Sequence, residues 1–427
     1  MNAVKALAKE SVEVVLIDRS NHHTFQPLLY QVALGVLSDS DIAQPLRTIL
    51  RDVPNVRIVM DEVVGIDPDL RCIQLESGNS INFDYLILAS GATHSYFGND
   101  TWERNAPGLK TIEHALEIRR RIMLAFEEAE RNTLDGRKPE QINFVVIGGG
   151  PTGIELAGAI RDISKYVLKD DFHSIDPTSC KVMLLEGSPR ILANYPEELS
   201  RKAELQLRQL GVEVHTNTQV TNIDDLSVWI GTTRIPAAVT LWAAGVQPSP
   251  LGRFFPGSLD RKGAIEIDGF LNPKDYRNVF VCGDLAHLEQ DGKRVPGVAQ
   301  PAIQMGRHAA ISIVADLAGR PRAPFRYFDK GDMATIGRYL AVADIRWPIK
   351  ARISGFPAWF AWLFVHLMFL VGLKKRATVF VSWGWTLLFR TLGAGLITDF
   401  RCGASAGSSS DAHHEPLSLN SASRRPR

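Results

Sequence analysis

The stretch INFVVIGGGPTGIELAGAI, residues 142–160, narrows the choice of folds more than any other part of this chain. A β-branched apolar run of buried-strand type leads into G-x-G-x-x-G at Gly148, Gly150 and Gly153, and a helical pattern follows. In that setting Gly148 allows a tight turn, Gly150 lets backbone approach a pyrophosphate, and Gly153 lets helix and strand pack closely. The phosphates of a dinucleotide would then lie at a helix N-terminus, whose free N–H groups and dipole favour anions. The next strand, KVMLLE, ends in Glu186. A carboxylate there can accept hydrogen bonds from ribose hydroxyls and repels a 2′-phosphate, which favours NADH over NADPH. Arg190, four residues on, weakens that preference. The interval from Gly150 to Glu186 exceeds the usual ~20 residues; a longer helix and the insert DDFHSIDPTSC account for the excess.

The same alternation recurs elsewhere. NAVKALAK reads as a helix and VEVVLIDR as a buried strand ending in Asp18 and Arg19. FDYLILASGAT, residues 83–93, reads as a strand running into a small-residue turn. Further strands are expected at 181–186, 212–215, 239–243 and 278–284, and helices at 40–51, 111–131 and 302–318. Apolar strands alternating with helices imply an α/β fold with a parallel sheet covered on both faces. Because the strand–helix–strand pattern occurs near 1–18 and again near 142–186, we expect two Rossmann-like dinucleotide-binding domains. The first has its strand and its acid but no Gly-rich loop in front of them. Either the start site lies too late, or that fold holds its ligand without the usual phosphate loop. The expected organisation is a discontinuous first domain, 1–140 with 260–325, a second domain at 141–259, a C-terminal amphipathic, membrane-associating helical region at 326–400 and a disordered tail at 401–427.

Composition matters most at the C-terminal end. Residues 1–345 carry 37 Lys and Arg against 44 Asp and Glu, a net of −7, whereas 346–427 carry 11 against three, a net of +8. A nucleic-acid binder would place its basic residues on the folded body, so this distribution argues against one and for a membrane-facing end. Residues 356–373, FPAWFAWLFVHLMFLVGL, hold no charge, and Lys374, Lys375 and Arg376 follow. As a helix the run would measure about 27 Å, just short of a ~30 Å hydrocarbon core. Basic clusters at both flanks disfavour a span. Five of the eight tryptophans (347, 359, 362, 383 and 385) fall in this region, as an interfacial belt requires. Two helices lying in one leaflet are therefore expected, the alternatives being a single span and a buried interface in a homodimer. The four cysteines, Cys72, Cys180, Cys282 and Cys402, form no C-x₂₋₄-C pair, so neither a zinc site nor a disulfide framework is expected, and the chain reads as cytosol-facing.

At IDRSNHHTFQPLLYQVA (17–33), DYLILASGATHSYFG (84–98), VVIGGGPTGIELAG (145–158), LWAAGV (241–246), NVFVCGDLAH (278–287), VAQPAIQMGRHAA (298–310) and FAWLFVHLMFLVGLKKR (360–376), the sequence resembles the type II NADH dehydrogenases, the non-proton-pumping NADH:quinone oxidoreductases of the two-dinucleotide-binding-domain flavoproteins. The resemblance implies FAD in the first fold, held by Asp18, Arg19, Ser90, Gly91, Ala92, Thr93, Asp284 and Gln300. It implies NADH in the second, held by Gly148, Gly150, Gly153, Glu155, Glu186, Ala244 and Gly245. Glu155, in the first turn of the helix after the glycines, would lie near the nicotinamide and relay protons. Gln300 and Gln304, at i and i+4, would lie beside flavin and quinone, where a neutral amide can bond a quinone carbonyl without charging the pocket.

The expected activity is hydride transfer from NADH to FAD, then passage of two electrons to a membrane quinone, without proton pumping. The partners are that quinone and, through residues 350–400, the cytoplasmic face of the cell membrane as a peripheral, monotopic protein. No metal is expected. The rival readings are an NADH oxidase or diaphorase using oxygen or a soluble acceptor, and a flavin-free remnant that binds only NADH or membrane.

Overall fold

The computed structural model describes residues 1–136, 141–389 and 395–397. The elements that position the site begin with α1 (Asn2–Ala6), β1 (Val14–Asp18), α2 (Leu29–Ala33), β2 (Val56–Met60), β3 (Leu86–Leu88) and α3 (Ile112–Asn132). A second run follows: β4 (Asn143–Ile147), α4 (Pro151–Tyr166), β5 (Lys181–Leu185), α5 (Glu197–Leu210), β6 (Val212–His215) and β7 (Val239–Trp242). The chain then supplies β8 (Val279–Val281), α6 (Ala299–Leu317), β9 (Gly331–Ile336), β10 (Leu340–Ile345), β11 (Ala351–Ser354), α7 (Phe356–Phe369) and α8 (Leu373–Phe389).

The second run makes a four-stranded parallel sheet in the order β6-β5-β4-β7, with Val145 opposite Met183 on one side and Thr240 on the other. Its strands are apolar at successive positions because both faces are covered: Phe144, Val145, Val146, Val182 and Leu184 are fully buried. The long interval before Glu186 holds the rest of α4 and two 3₁₀ turns. Glu130 of α3 pins that insert by accepting from the backbone N–H groups of His173, Ser174 and Ile175.

The first run pairs differently. β1 lies parallel to β2, and β3 lies parallel to β8, as two separate two-stranded sheets. Val14 of β1 and Ile87 of β3 meet over Ala3, Leu7 and Ala310. β1 is half-buried along its whole length, because it forms one wall of the cavity described below.

Three expectations need correction. The helix expected at 40–51 is two short helices, Asp39–Ile42 and Leu46–Ile49, separated by the strand Ala43–Pro45, which pairs with His22–Thr24. Pro45 offers no N–H and forces Gln44 into extended backbone, and Gln44 then pairs with His23. The strand and small-residue turn expected over 83–93 are present, but the turn is shorter than expected, because Ala92 and Thr93 already belong to a second strand, Ala92–His94, which pairs with Val246–Pro248. The C-terminal region is not helical throughout, because β9, β10 and β11 form an antiparallel sheet. This sheet packs on α4 closely enough that a Cβ at Gly158 would lie 2.8 Å from the Gly337 nitrogen.

α7 and α8 are two-faced. Trp362, Leu370, Val379 and Trp383 join the main hydrophobic core with Tyr30, Ile160 and Ala334. Phe356, Phe360, Phe364 and Met368 of α7, four residues apart, are more than half exposed, as are Phe380, Val381, Trp385 and Leu388 of α8. Two of the five tryptophans assigned to an interfacial belt are thus core residues. No described helix is long and apolar enough to cross a membrane. The tail expected at 401–427 lies outside the described residues.

Candidate active site

One cavity of about 3660 Å³ runs between the two folds and out to α7. Pockets for single small ligands measure about 300–1,000 Å³, so this space is sufficient for two dinucleotides and a further substrate. Its walls bring together most of the residues that the sequence singled out.

In the second fold, β4 hands over to α4 through the Gly-rich turn. Gly148 sits at φ +109°, and a Cβ there would lie 2.5 Å from Ala243 backbone. A Cβ on Gly153 would lie 1.8 Å from the Gly148 oxygen. These two glycines hold the turn shut from behind. Gly150 differs, because a Cβ there would meet nothing within 4 Å. It faces the cavity, with Gly149 and Ala244 beside it. Gly245 is not on the wall; it packs on Phe97, which a Cβ would approach to 2.8 Å.

Glu186 follows β5 at this turn. One carboxylate oxygen accepts from Gly149 N–H at 2.5 Å and the other from Ser188 N–H at 2.6 Å. A carboxylate has about four acceptor sites, so each oxygen keeps one for a ligand hydroxyl. Arg190 is turned away, its guanidinium bonded to the carbonyls of Ala193 and Tyr195.

In the first fold, Asp18 ends β1 and accepts from Ser20 N–H, with Arg19 beside it on the wall. Ser90, Gly91, Ala92 and Thr93 line the same space from the turn after β3. Asp284, following β8, faces Lys110 at 3.5 Å. Lys110 precedes the Thr111 cap of α3 and had no signal in the sequence, since a lone lysine before a helix is ordinarily surface. The polar set of the first fold therefore comprises two strand-end carboxylates, a lysine and a small-residue turn, donors and acceptors suited to ribose, ribityl and flavin edges.

Glu155 projects from the first turns of α4 into the cavity wall, and its carboxyl accepts from Thr335 N–H at 3.4 Å. Burial pushes its pKa up to about 8, with only that backbone donor opposing the shift. Tyr195, on the same wall, is held well above its usual range by burial, with Asp332, Glu155 and Asp344 reinforcing the effect and Arg346 opposing it. Arg346 in turn bonds Asp329 and Asp344 and lies 3.3 Å from Asp332.

The glutamine pair divides. Gln300 is on the cavity wall. Gln304 is not, because its amide oxygen accepts from Phe328 N–H and its amide nitrogen donates to the Phe328 carbonyl, both at 2.9 Å. It pins the segment after α6 and does not line the cavity.

The apolar end of the cavity is formed by Trp347, Ala361, Phe364, Val365, Met368 and Phe369. Of the basic residues beside it, Lys374 is exposed, whereas Lys375 bonds the carbonyls of Ser40 and Ala43, and Arg376 bonds that of Leu370.

Comparison with known proteins agrees with this geometry. A pyridine nucleotide-disulphide oxidoreductase family model matches residues 1–306. The chain is 43% identical to the type II NADH:quinone oxidoreductase Ndh of Mycobacterium tuberculosis over 93% of this chain and 88% of that protein. It is 42% identical to NdhA of the same organism over 93% and 87%. A solved structure of NDH2 from Plasmodium falciparum in complex with NADH superposes with a TM-score of 0.81 at 19% identity, covering 92% of this chain and 96% of that one.

Proposed function

Because the chain belongs to the pyridine nucleotide-disulphide oxidoreductases, and among them to the type II NADH:quinone oxidoreductases, its activity is flavin-dependent electron transfer from NADH to quinone, and we propose that the cavity between its folds performs it with the residues assigned below. What carries this assignment is the continuity of the cavity: the Gly150 turn and Glu186, the Asp18 and Asp284 carboxylates, Glu155 and Gln300, and the apolar face of α7 all border one space.

FAD, when bound, supplies the two-electron chemistry between nicotinamide and quinone. Asp18, Arg19, the turn from Ser90 to Thr93, Gln300 and Asp284 hold it, with Lys110 fixing the Asp284 carboxylate. NADH lies in the second fold. Its pyrophosphate meets the open backbone at Gly150 and the N-terminus of α4, and its adenosine ribose meets the acceptor sites left on Glu186. Arg190, its guanidinium bonded to the Ala193 and Tyr195 carbonyls, is held off a 2′-phosphate at Glu186. Glu155 is protonated at neutral pH and gives its proton where quinone is reduced. Gln300 donates to a quinone carbonyl. Gln304 takes no part.

Anaerobic stopped-flow absorbance of the purified, flavin-loaded protein tests these assignments. A short-chain quinone should reoxidise the flavin faster than air does. NADH should reduce it faster than NADPH, with the preference falling about tenfold in Glu186→Gln. Reoxidation that is no faster with quinone would sink the quinone assignment, and an unchanged nucleotide preference would remove Glu186 from its role.

The exposed apolar stripe of α7 and α8 meets a membrane surface, with Lys374 toward its head groups, so that quinone enters between the helices from the lipid side. Replacing Phe356, Phe360 and Phe380 together by serine, exposed residues that do not line the cavity, should release the protein from anionic phosphatidylglycerol vesicles in a flotation assay, with NADH oxidation by a soluble acceptor retained. Undiminished flotation would move the membrane contact elsewhere. In this placement the protein lies on the cytoplasmic face, peripheral and monotopic.

A further inference from the structure

A line of buried hydrogen bonds joins α8 to Glu155. The Trp383 indole N–H donates to the Gln31 amide oxygen at 2.6 Å. The Gln31 amide nitrogen donates to the Tyr30 hydroxyl oxygen at 2.9 Å. That hydroxyl lies 3.1 Å from Thr335 Oγ1, and the Thr335 backbone N–H donates to Glu155. Trp383, Gln31, Tyr30 and Thr335 are all buried. With its oxygen already accepting from Gln31, Tyr30 is placed to donate onward to Thr335. The hydrogen bonds run from α8 as far as the Thr335 side chain, and the backbone N–H of that same residue holds the Glu155 carboxyl.

We propose that Tyr30, Gln31 and Thr335 are positioning residues through which the seating of α8, reported by Trp383, sets the proton affinity of Glu155. The proposal rests on Glu155 being the acid of the quinone site. Fixing the Thr335 side chain fixes its backbone N–H against Glu155, where that donor stabilises the carboxylate. This works against burial, which favours the neutral acid. Among the described residues, Glu155 acts electrostatically on Tyr30 of α2 and on Tyr195 of the loop before α5; Asp162, further along α4, also acts on Tyr30, and Asp332 of β9 with Asp344 and Arg346 at the end of β10 act on Tyr195. Asp162 is paired with Arg338 at 3.3 Å, and Arg346 is shared among Asp329, Asp332 and Asp344, with Arg352 3.5 Å from Asp344. If α8 lifts, Trp383 leaves Gln31, and Glu155 loses the far end of its support.

The test uses the flavin-loaded full chain with Trp383→Phe and Tyr30→Phe. The first removes an N–H and keeps a ring; the second removes a single hydroxyl. Infrared titration of the Glu155 carboxyl band, assigned by its loss in Glu155→Gln, reads the proton affinity directly. Both variants should move the midpoint upward, by about half a pH unit for Trp383→Phe and up to about one for Tyr30→Phe. The double variant should move it no further than Tyr30→Phe alone, because the two act through one line. The alkaline limb of quinone reduction should move in the same direction, with KM for NADH unchanged as the check on folding. Midpoints equal to the parent's, or shifts that simply add, would overturn the proposal. If the band shifts while Glu155→Gln leaves the quinone pH profile intact, the line stands and the catalytic assignment of Glu155 falls instead.

Discussion

Glu155→Gln is expected to lower quinone turnover by about 10²-fold or more, while flavin reduction by NADH continues. Glutamine keeps the size of the side chain and can accept from Thr335 N–H, so the wall of the cavity should hold its shape. What it lacks is a proton to give. At neutral pH the parent carboxyl is mostly protonated, because burial has pushed its pKa up to about 8. Above that value it ionises and turnover falls; in the glutamine variant this limb should vanish, leaving a low and flat profile. The same group ties stability to pH. Unfolded, the carboxyl loses its proton near its ordinary value of 4.5; folded, it keeps the proton up to about 8. Between those limits the native state binds more protons, so rising pH weakens the fold. The contribution is complete below the lower limit and lost on passing the upper one. Thermal melts of parent and variant across that window should converge at low pH and separate in favour of glutamine at high pH. Parent-like turnover, or melts that run parallel, would remove Glu155 from the chemistry.

Gly150→Val should raise KM for NADH by about 10²-fold and leave the melting temperature within a few degrees of the parent. The two halves of that expectation come from one observation. A Cβ at Gly150 meets no protein atom within 4 Å, and the residue's φ of −74° is available to any amino acid. The added Cβ therefore meets nothing in the fold, and the branch beyond it enters the space where a pyrophosphate must approach. Gly153→Ala supplies the contrast, since its Cβ would fall 1.8 Å from the Gly148 oxygen and must force helix from strand. Its melting temperature should drop together with its affinity for NADH. Measuring both variants by steady-state kinetics and thermal unfolding separates a glycine needed by the ligand from one needed by the fold. Unaltered NADH binding in Gly150→Val would place the dinucleotide elsewhere.

The second fold was legible because everything that defines it is local: β-branched runs, glycines at fixed offsets, and a carboxylate at a strand end. The structure adds that Glu186 bonds the very turn whose ligand it is expected to read. The helix expected at 40–51 failed at Pro45, a residue whose breaking effect can be read locally but was outweighed by the flanking apolar pattern. Gln304 shows a different limit. Its i, i+4 spacing from Gln300 puts both on one side of α6, yet Phe328 comes back along that side and takes both of its amide groups. Lys110, Tyr30 and Thr335 were illegible for the same reason, since each matters through a partner more than 150 residues away. The tryptophans of the C-terminal run split between core and surface according to which residues α7 and α8 meet, and composition cannot tell one tryptophan from another.

That split bears on how this protein can be handled at the bench. Trp362 and Trp383 are 2% and 7% exposed and pack among the residues that also cover α2 and α4. Losing one such side chain costs about 3–5 kcal/mol, a large part of an ordinary domain's stability. A truncation made before α7 to obtain a tractable enzyme would therefore open the interior, and its inactivity would say nothing about lipids. Repainting the outer stripe while keeping both tryptophans is the route to a detergent-free preparation.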